Sequence, residues 1–289
     1  MAEWEPHTVT TEEIVAPEPV ATLASLFDDG LPAPGPGDEL PPMWHWVALP
    51  RWPFSSQIGP DGHPVRGSFL PPVELPRRMF AGGEVAWHSE IHVGETVRRV
   101  SRVESVTEKS GRSGELVVVV VSTRLYRDGG ELALEERQDL IYREAGPASS
   151  TEAPVADAAA LTPAGSPLRS CGDGVWDFAT DPTLLMRFSA ATANAHRIHY
   201  DWPYATRVEG YPGLVVHGPL ITLAAAEVRR LAGSTGRPAR LRHRNRAPLF
   251  CAQSARFRAR HDEKAMQVEL FGPGGEAAGP NATVDFELG

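Results

Sequence analysis

Hydrophobic and polar positions follow two different periods along the chain. Stretches rich in β-branched residues, separated by turn residues such as Asp128-Gly129-Gly130, predict β-strands. We expect these strands at residues 85–93, 96–107, 115–127 and 131–143, and again at residues 241–250, 253–261, 266–271 and 282–288. The turn residues between consecutive strands favour antiparallel pairing.

Three other stretches predict helices. Residues 11–29 carry acidic residues first and apolar residues later, a pattern compatible with a helix that ends at Gly30. Residues 183–194 form the second helix. In the third, at residues 219–231, apolar side chains recur every three or four positions up to Gly233. Each half of the chain therefore combines a helix with an antiparallel sheet, which is an α+β arrangement.

The composition divides the chain into two domains. From residue 146 to residue 167 Ala, Pro, Ser and Thr predominate, which is typical of a connection between domains. We therefore expect an N-terminal domain at residues 1–147, a linker at residues 148–167 and a C-terminal domain at residues 168–289. Residues 43–83 are dense in Trp, Pro and Gly, and so many apolar residues in an irregular segment indicate an ordered covering loop.

The overall charge and composition narrow the classes of function. The formal net charge is −9, so the surface as a whole is not suited to nucleic-acid phosphates. No run of 18 or more apolar residues occurs, and the start of the chain lacks the basic and apolar regions of a secretory signal. The two cysteines are too few for a disulfide framework, which fits a reducing compartment. We expect a cytoplasmic protein with no membrane or nucleic-acid partner.

The densest group of reactive side chains lies in the second half. It runs Asn194-Ala195-His196-Arg197-Ile198-His199-Tyr200-Asp201, and His217-Gly218-Pro219 follows further along the chain. Histidine titrates near neutrality, so an imidazole here suits proton transfer, although an isolated histidine is more often structural. A three-residue spacing also places two imidazoles on one helical face, so His196, His199 and Asp201 form an alternative set of metal ligands. No distant ligand cluster completes that set, and we expect no metal.

This run and the residues before it resemble a known signature. Phe188-Ser189-Ala190-Ala191-Thr192-Ala193 and the run that follows are similar, without a gap, to the hydratase signature of R-specific enoyl-CoA hydratases and MaoC-like dehydratases. The segment from Gly210 to Gly218 resembles the second motif of that family, in which a His-Gly pair opens the central helix. The resemblance implies a double hot-dog fold, with each half a central helix wrapped by an antiparallel β-sheet. It also implies that the C-terminal half is catalytic and that the N-terminal half is a degenerate copy that shapes an acyl tunnel.

The same alignment implies roles for individual residues. The family's catalytic histidine falls on His199 and its catalytic aspartate on Asn194, and the N–H of Gly218 is the expected donor to the thioester oxygen. Asparagine can orient water but cannot exchange a proton, so either His199 handles both proton transfers or another group assists. We expect His196 to be the assisting group, and Tyr200 is the next candidate. The supporting positions are His196, Tyr200, Asp201 and His217. We expect His217 to have a structural role in orienting its loop.

The form Asn-any-His-Arg-Ile-His-Tyr-Asp is similar to a subgroup that contains mitochondrial 3-hydroxyacyl-thioester dehydratases and bacterial mesaconyl-C4-CoA and itaconyl-CoA hydratases. In the first half Gly62-His63-Pro64 and residues 69–72 and 76–83 also resemble that subgroup. This implies a hydro-lyase that interconverts a 2-enoyl thioester and a 3-hydroxyacyl thioester without a cofactor, with short dicarboxylic acyl-CoA esters among the candidate substrates. The expected partner is an acyl-CoA or an acyl carrier protein, and a homodimer is left open. A hot-dog acyl-CoA thioesterase and a noncatalytic acyl-thioester-binding subunit are the alternatives.

Two groups of arginines are candidates for substrate binding. A basic run from Arg237 to Arg246 alternates along a predicted strand, so its charges share one face. Arg244 and Arg246 are expected to hold the phosphates of coenzyme A or a pantetheine arm, and the alternative is a solvated face. Arg77 and Arg78 are expected to meet a substrate carboxylate if the acyl group is dicarboxylic, and the alternative is an ordinary surface position beside a proline.

Overall fold

In the described part of the chain, eleven antiparallel strands form one continuous sheet. A computed structural model of the protein describes residues 4–111, 114–144, 165–234, 236–262 and 264–288. The strands are β1 (Thr8–Ile14), β2 (Arg77–Trp87), β3 (Thr96–Gly111), β4 (Gly114–Arg127), β5 (Leu132–Arg143), β6 (Leu168–Gly172), β7 (Val175–Phe178), β8 (Pro238–Asn245), β9 (Arg256–His261), β10 (Ala265–Phe271) and β11 (Ala282–Leu288). Their order across the sheet is β1-β3-β4-β5-β2-β8-β11-β10-β9-β7-β6.

The two halves of the chain meet where β2 pairs with β8. The first half supplies β1 to β5 and the second half supplies β6 to β11, so this pairing joins two smaller sheets. Gly82 and Gly83 lie at the seam, where a Cβ would collide with the carbonyl of His243 or of Arg137. Glycine therefore allows the backbones to approach at this point. Residues 148–164 of the predicted linker lie outside the described residues.

In the C-terminal half a long helix lies against the sheet as the sequence predicts. Helix α4 (Gly218–Leu231) packs on β9, β10 and β11 and also reaches β2. Its core-facing Leu220, Leu223 and Val228 are fully buried, and each contributes roughly 1.5–3 kcal/mol relative to an exposed side chain. A shorter helix, α3 (Pro182–Ala191), begins where the Asp181 carboxylate accepts the N–H of Leu184.

The N-terminal half has less regular structure over its sheet. Helix α1 (Pro17–Phe27) packs against α2 and α3, and α2 (His45–Ala48) is a single turn. Beyond α2, irregular chain covers the sheet, and Phe69 and Leu70 pack on a small core that includes Val119 and Tyr142. The predicted covering loop is therefore confirmed. Among the described residues, no helix combines the length and the apolar composition needed to cross a bilayer.

Several predicted boundaries were wrong for local reasons. The helix expected at residues 11–29 begins only at Pro17, because residues 8–14 are β-branched and polar and pair with β3 as an edge strand. Strand β2 starts eight residues earlier than expected, since its two glycines suggest a turn but lie at a bulge. Strands β6 and β7 were missed because they are short and lack an apolar pattern.

Candidate active site

A cavity of about 670 Å³ lies between the two halves. The C-terminal half contributes Asn194, His196, His199 and Gly218 to its wall. The N-terminal half contributes side chains from α2, from the covering segment and from β2 to β5. The structure therefore brings the three predicted catalytic positions and His196 to one enclosed space.

His199 is held as a neutral imidazole with one free nitrogen. Its Nδ1 lies 2.7 Å from the carbonyl oxygen of Val215. A carbonyl only accepts, so Nδ1 carries the proton and Nε2 keeps its lone pair. Burial lowers the pKa of His199 to about 3, although the bond to Val215 opposes this shift. The ring is therefore neutral at pH 7, and its free nitrogen keeps an unshared electron pair.

His217 fixes the plane of the His199 ring. The two rings are stacked with centroids 3.6 Å apart and planes 18° from parallel. His217 is fully buried, and its Nε2 lies 2.8 Å from the hydroxyl of Ser189. Its side chain is not part of the cavity wall. The geometry therefore gives His217 a supporting position behind His199.

The start of α4 presents a free N–H to the cavity. Gly218 is the first residue of the helix, and no acceptor for its N–H occurs among the described residues. A Cβ at Gly218 would lie 2.6 Å from Nδ2 of Asn245 and 3.1 Å from the ring of Phe80, so a larger residue would displace the Asn245 amide and crowd Phe80. The N–H groups at a helix start lie at the positive end of the dipole. An anionic oxygen is the ligand that this position suits.

Asn194 lines the cavity, whereas Tyr200 and Asp201 do not. The Oδ1 atom of Asn194 accepts the N–H of His196 at 3.1 Å, which leaves the amide NH₂ as a donor. The hydroxyl of Tyr200 donates to the carbonyl of Ala195, and its side chain is largely exposed. Asp201 accepts from the guanidinium of Arg197 at 2.8 Å. Tyr200, the next candidate after His196 for the assisting group, therefore lies outside the cavity wall.

The neighbour of His196 is His63, from the N-terminal half. The two ring centroids are 4.0 Å apart, and both residues line the cavity. His63 Nδ1 lies 3.1 Å from Oδ2 of Asp61, and the N–H of His63 donates to Oδ1 at 2.9 Å. Burial alone would raise the pKa of Asp61, but the bonds and charge of His63 lower it below its usual range. The motif Gly62-His63-Pro64 was the sequence signal for this pair, but on its own it predicted no role.

The metal-ligand set considered from the sequence is not assembled. Asp201 is engaged by Arg197, away from the cavity wall. In the described part of the chain, the group with metal-like spacing is Asp61, His63 and His196, whose ligand atoms lie within 4.8 Å of one another. Two imidazoles and a carboxylate at this spacing suit either a cation or a proton relay. The absence of a metal stays a prediction.

The four candidate arginines have different surroundings. Arg77 is buried and binds Glu209 through its carbonyl and, at 3.3 Å, through its carboxylate, so its guanidinium is already engaged. Arg78 lines the cavity, and burial lowers its pKa from the ordinary value. Arg246 also lines the cavity and is exposed, whereas Arg244 is exposed but outside the wall. Within the described ranges, neither Arg78 nor Arg246 forms an ion pair with a carboxylate.

The cavity wall also contains a cluster of polar side chains around Glu136 that was not predicted from the sequence. Glu136 of β5 is buried and accepts hydrogen bonds from Nε1 of Trp46 at 2.6 Å and from Gln138 at 2.7 Å. Nε2 of His45 lies 3.4 Å from the same carboxylate. Burial would raise the pKa of Glu136, but these partners lower it. The N-terminal half therefore lines the cavity with both polar and apolar side chains.

Comparison with known proteins places this site in a family. The family model described as hydroxyacyl-thioester dehydratase type 2 matches residues 43–251. The chain is 40% identical to the mesaconyl-C(4)-CoA hydratase of Chloroflexus aurantiacus over 290 residues, which is 98% of this chain and 96% of that protein.

Solved structures show the same fold. A MaoC-like dehydratase has a TM-score of 0.67 with 15% identity, over 99% of this chain and 98% of that chain. A Mycobacterium tuberculosis protein described as a double hot-dog fold has a TM-score of 0.56 with 16% identity, over 99% and 96% of the chains. The predicted double hot-dog fold is confirmed, and the chain belongs to the hydroxyacyl-thioester dehydratase type 2 family.

Proposed function

We propose that this protein is a hydro-lyase that interconverts 2-enoyl-CoA and 3-hydroxyacyl-CoA, with a preference for a short acyl group that carries a carboxylate. The observation that carries the proposal is that one cavity contains the free Nε2 side of His199, the unbonded N–H of Gly218 and the guanidinium of Arg78, which forms no ion pair with a carboxylate of the described residues. The similarity to the mesaconyl-C(4)-CoA hydratase supports the same reaction class.

Hydration begins with the two groups of the C-terminal half. Nε2 of His199 takes a proton from water while the water oxygen bonds to the β-carbon, and Asn194 orients that water. The electron pair of the double bond moves to the thioester oxygen, where the N–H of Gly218 stabilises it. General-base catalysis of this kind is worth about 10²–10⁴ in rate, and one oxyanion donor about 10²–10³. The α-carbon then takes a proton as the carbonyl re-forms.

Arg78 supports the preference for a carboxylate. In mesaconyl-C4-CoA the free carboxylate is attached to the β-carbon, so it would lie close to His199 during the reaction. Arg78 and His63 line the same cavity, and the charge of Arg78 helps to lower the pKa of that imidazole. His63 is in ring contact with His196, and His196 with His199. A guanidinium in this position can bind a carboxylate through two parallel hydrogen bonds.

The buried polar wall around Glu136 also favours a short acyl group, because a long alkyl chain would leave polar groups without solvent. Arg246 and its strand neighbour Arg244 are proposed contacts for the phosphates of coenzyme A. The proposed chemistry consists of proton transfers only and needs no cofactor. A cytoplasmic location and the use of coenzyme A over an acyl carrier protein belong to this proposal, and a homodimer stays a prediction.

A panel of crotonyl-CoA, itaconyl-CoA and mesaconyl-C4-CoA tests the proposal with wild type, Arg78→Met and Arg78→Lys. Loss of enone absorbance without release of free thiol is expected, fastest with a dicarboxylic substrate. Arg78→Met should lower kcat/KM for that substrate by at least about tenfold, with crotonyl-CoA changed less than about threefold. Arg102→Met, at an exposed position on β3, is the matched control. Free thiol release, or an equal loss on all three substrates, would contradict the proposal.

A further inference from the structure

The cavity contains a second imidazole whose tautomer is fixed. His63 is buried, and its Nδ1 lies 3.1 Å from a carboxylate oxygen of Asp61. An ionised carboxylate only accepts, so Nδ1 of His63 carries the proton and Nε2 keeps its lone pair. His199 has the same arrangement with the carbonyl of Val215. Each half of the molecule therefore contributes one imidazole with a free Nε2 to the same cavity.

The His63 segment is held rigidly against the turn that carries His199. The N–H of Arg197 donates to the carbonyl of Asp61 at 2.9 Å, and the Arg197 guanidinium donates to the carbonyl of Pro60 at 3.0 Å. Gly62 adopts φ +89°, and a Cβ there would collide with the carbonyl of Ala195. This close approach requires glycine and places His63 on the ring of His196.

The reaction has a use for a second proton-transfer group. Asn194 occupies the position where the family resemblance puts a carboxylic acid, and an amide cannot give up and regain a proton. His199 would otherwise serve both the water and the α-carbon. The ring of His196 contacts both other imidazoles, with centroids 4.0 Å from His63 and 5.5 Å from His199, and burial together with these two neighbours keeps its pKa well below the ordinary value.

We propose that His63, oriented by Asp61, is the acid/base for the α-carbon, while His199 acts on water. In hydration the proton that His199 removes from water is carried across the cavity to Nε2 of His63, and from there it bonds to the α-carbon as the thioester carbonyl re-forms. The hydroxyl group is then on the β-carbon, one water has been consumed, and no imidazole has gained or lost a proton. The negative charge of Asp61 stabilises the imidazolium formed on the way. This role rests on the proposed hydro-lyase function.

The environment of His63 fits this assignment. Burial lowers its pKa to about 4, and the charges of Arg78 and Arg66 act in the same direction against the bond and charge of Asp61. The imidazole is therefore neutral at rest and free to accept a proton. Asp61 is a positioning residue, since it lies outside the cavity wall and acts through His63.

The test compares His63→Gln and Asp61→Asn with wild type on the hydration product of mesaconyl-C4-CoA, prepared with protium or deuterium at the α-carbon. His63→Gln should lower kcat by about 10²–10⁴ while KM changes less than about threefold. The deuterium isotope effect on kcat should rise, because transfer of the α-proton becomes the slow step. Asp61→Asn should show a smaller loss and the same rise. His88→Gln removes an exposed histidine that pairs with Glu135 and does not line the cavity, and it should change neither quantity.

Three outcomes would overturn the inference. One is wild-type turnover by His63→Gln, and another is a lower kcat with an unchanged isotope effect, which marks a structural role only. The third is loss of wild-type activity in EDTA with recovery on adding Zn²⁺, which would make the cluster a metal site. If His63→Gln does not fold, the isotope effect on kcat of Asp61→Asn tests the inference: a rise supports it and an unchanged value contradicts it. Failure of wild type to act on any enoyl-CoA would instead overturn the proposed function.

Discussion

The two halves of this protein cover similar antiparallel sheets in different ways. In the C-terminal half, the regular helix α4 packs on the sheet, and its first residue, Gly218, lines the cavity. In the N-terminal half, α2 is a single turn and an irregular segment completes the cover. The difference shows that where the helix is short, the irregular chain can reach the other half, as Asp61 does at Arg197 and His63 does at His196.

The energetics of the halves differ accordingly. The C-terminal core is built by buried aliphatic and aromatic side chains on α4 and the strands around it. The N-terminal wall retains buried polar groups, among them Glu136 and His45. Buried polar groups cost free energy unless they are hydrogen-bonded, so their presence in a cavity wall is typical of a binding surface.

The largest expected effect is in the C-terminal half. His199→Gln removes the base but keeps a polar side chain of similar size, and we expect kcat to fall by about 10³-fold or more, near the upper range for general-base catalysis. The rate of enone formation or loss measures it. Turnover within about tenfold of wild type would show that the base is elsewhere.

Gly218→Ala should have the next largest effect. The added Cβ would meet Nδ2 of Asn245 at 2.6 Å and the ring of Phe80 at 3.1 Å, so it displaces these side chains or the start of α4 and projects a methyl group beside the N–H that faces the thioester oxygen. We expect kcat to fall by about 10²–10³ with a smaller change in KM. Gly35→Ala, at an open surface position with room for a Cβ, is the control. Equal activity of the two variants would contradict the oxyanion role.

The buried histidines predict a loss of stability in acid. Burial lowers the pKa of His199 to about 3, and of His63 and His243 to about 4, from an ordinary value of 6.5. Between pH 6.5 and pH 4 the unfolded chain therefore binds protons that the folded chain does not. Each of the three groups lowers the free energy of unfolding by up to about 1.4 kcal/mol per pH unit as the pH falls through this window.

Glu227 of α4 acts in the opposite direction, since burial raises its pKa to about 7 and its protonation favours the folded state. Three histidines outweigh this one carboxyl group, so net destabilisation is expected. Urea unfolding followed by tryptophan fluorescence at pH 7 and pH 5 measures it. A free energy of unfolding that is equal at both values would contradict the burial of these neutral imidazoles.

The smallest effect is expected for Tyr200→Phe. The hydroxyl of Tyr200 donates to the carbonyl of Ala195 on the exposed side of the turn and does not reach the cavity. We expect kcat to stay within about threefold of wild type and stability to fall by about 0.5–1.5 kcal/mol, the value of one hydrogen bond. A large loss of kcat with unchanged stability would restore Tyr200 to the proton path.

Local patterns predicted a large part of the fold and one half of the site. Helix α4 and most strands follow from periodicity, whereas the expected roles of His199, Asn194 and Gly218 follow from the resemblance of two motifs to a known family, and all three residues line the cavity. The pairing of Asp61 with His63 against His196 depends on how the two halves meet, and no spacing along the chain encodes that contact. For the same reason the sequence could not separate Arg77, which binds Glu209, from its neighbour Arg78 in the cavity.

A crystal structure with methylsuccinyl-CoA, a saturated analogue that cannot be hydrated, tests the central claim most directly. The thioester oxygen should lie within about 2.7–3.2 Å of the nitrogen of Gly218, with the β-carbon facing Nε2 of His199. The free carboxylate should contact Arg78. A thioester bound outside the cavity, or a carbonyl beyond hydrogen-bond distance of Gly218, would contradict the account.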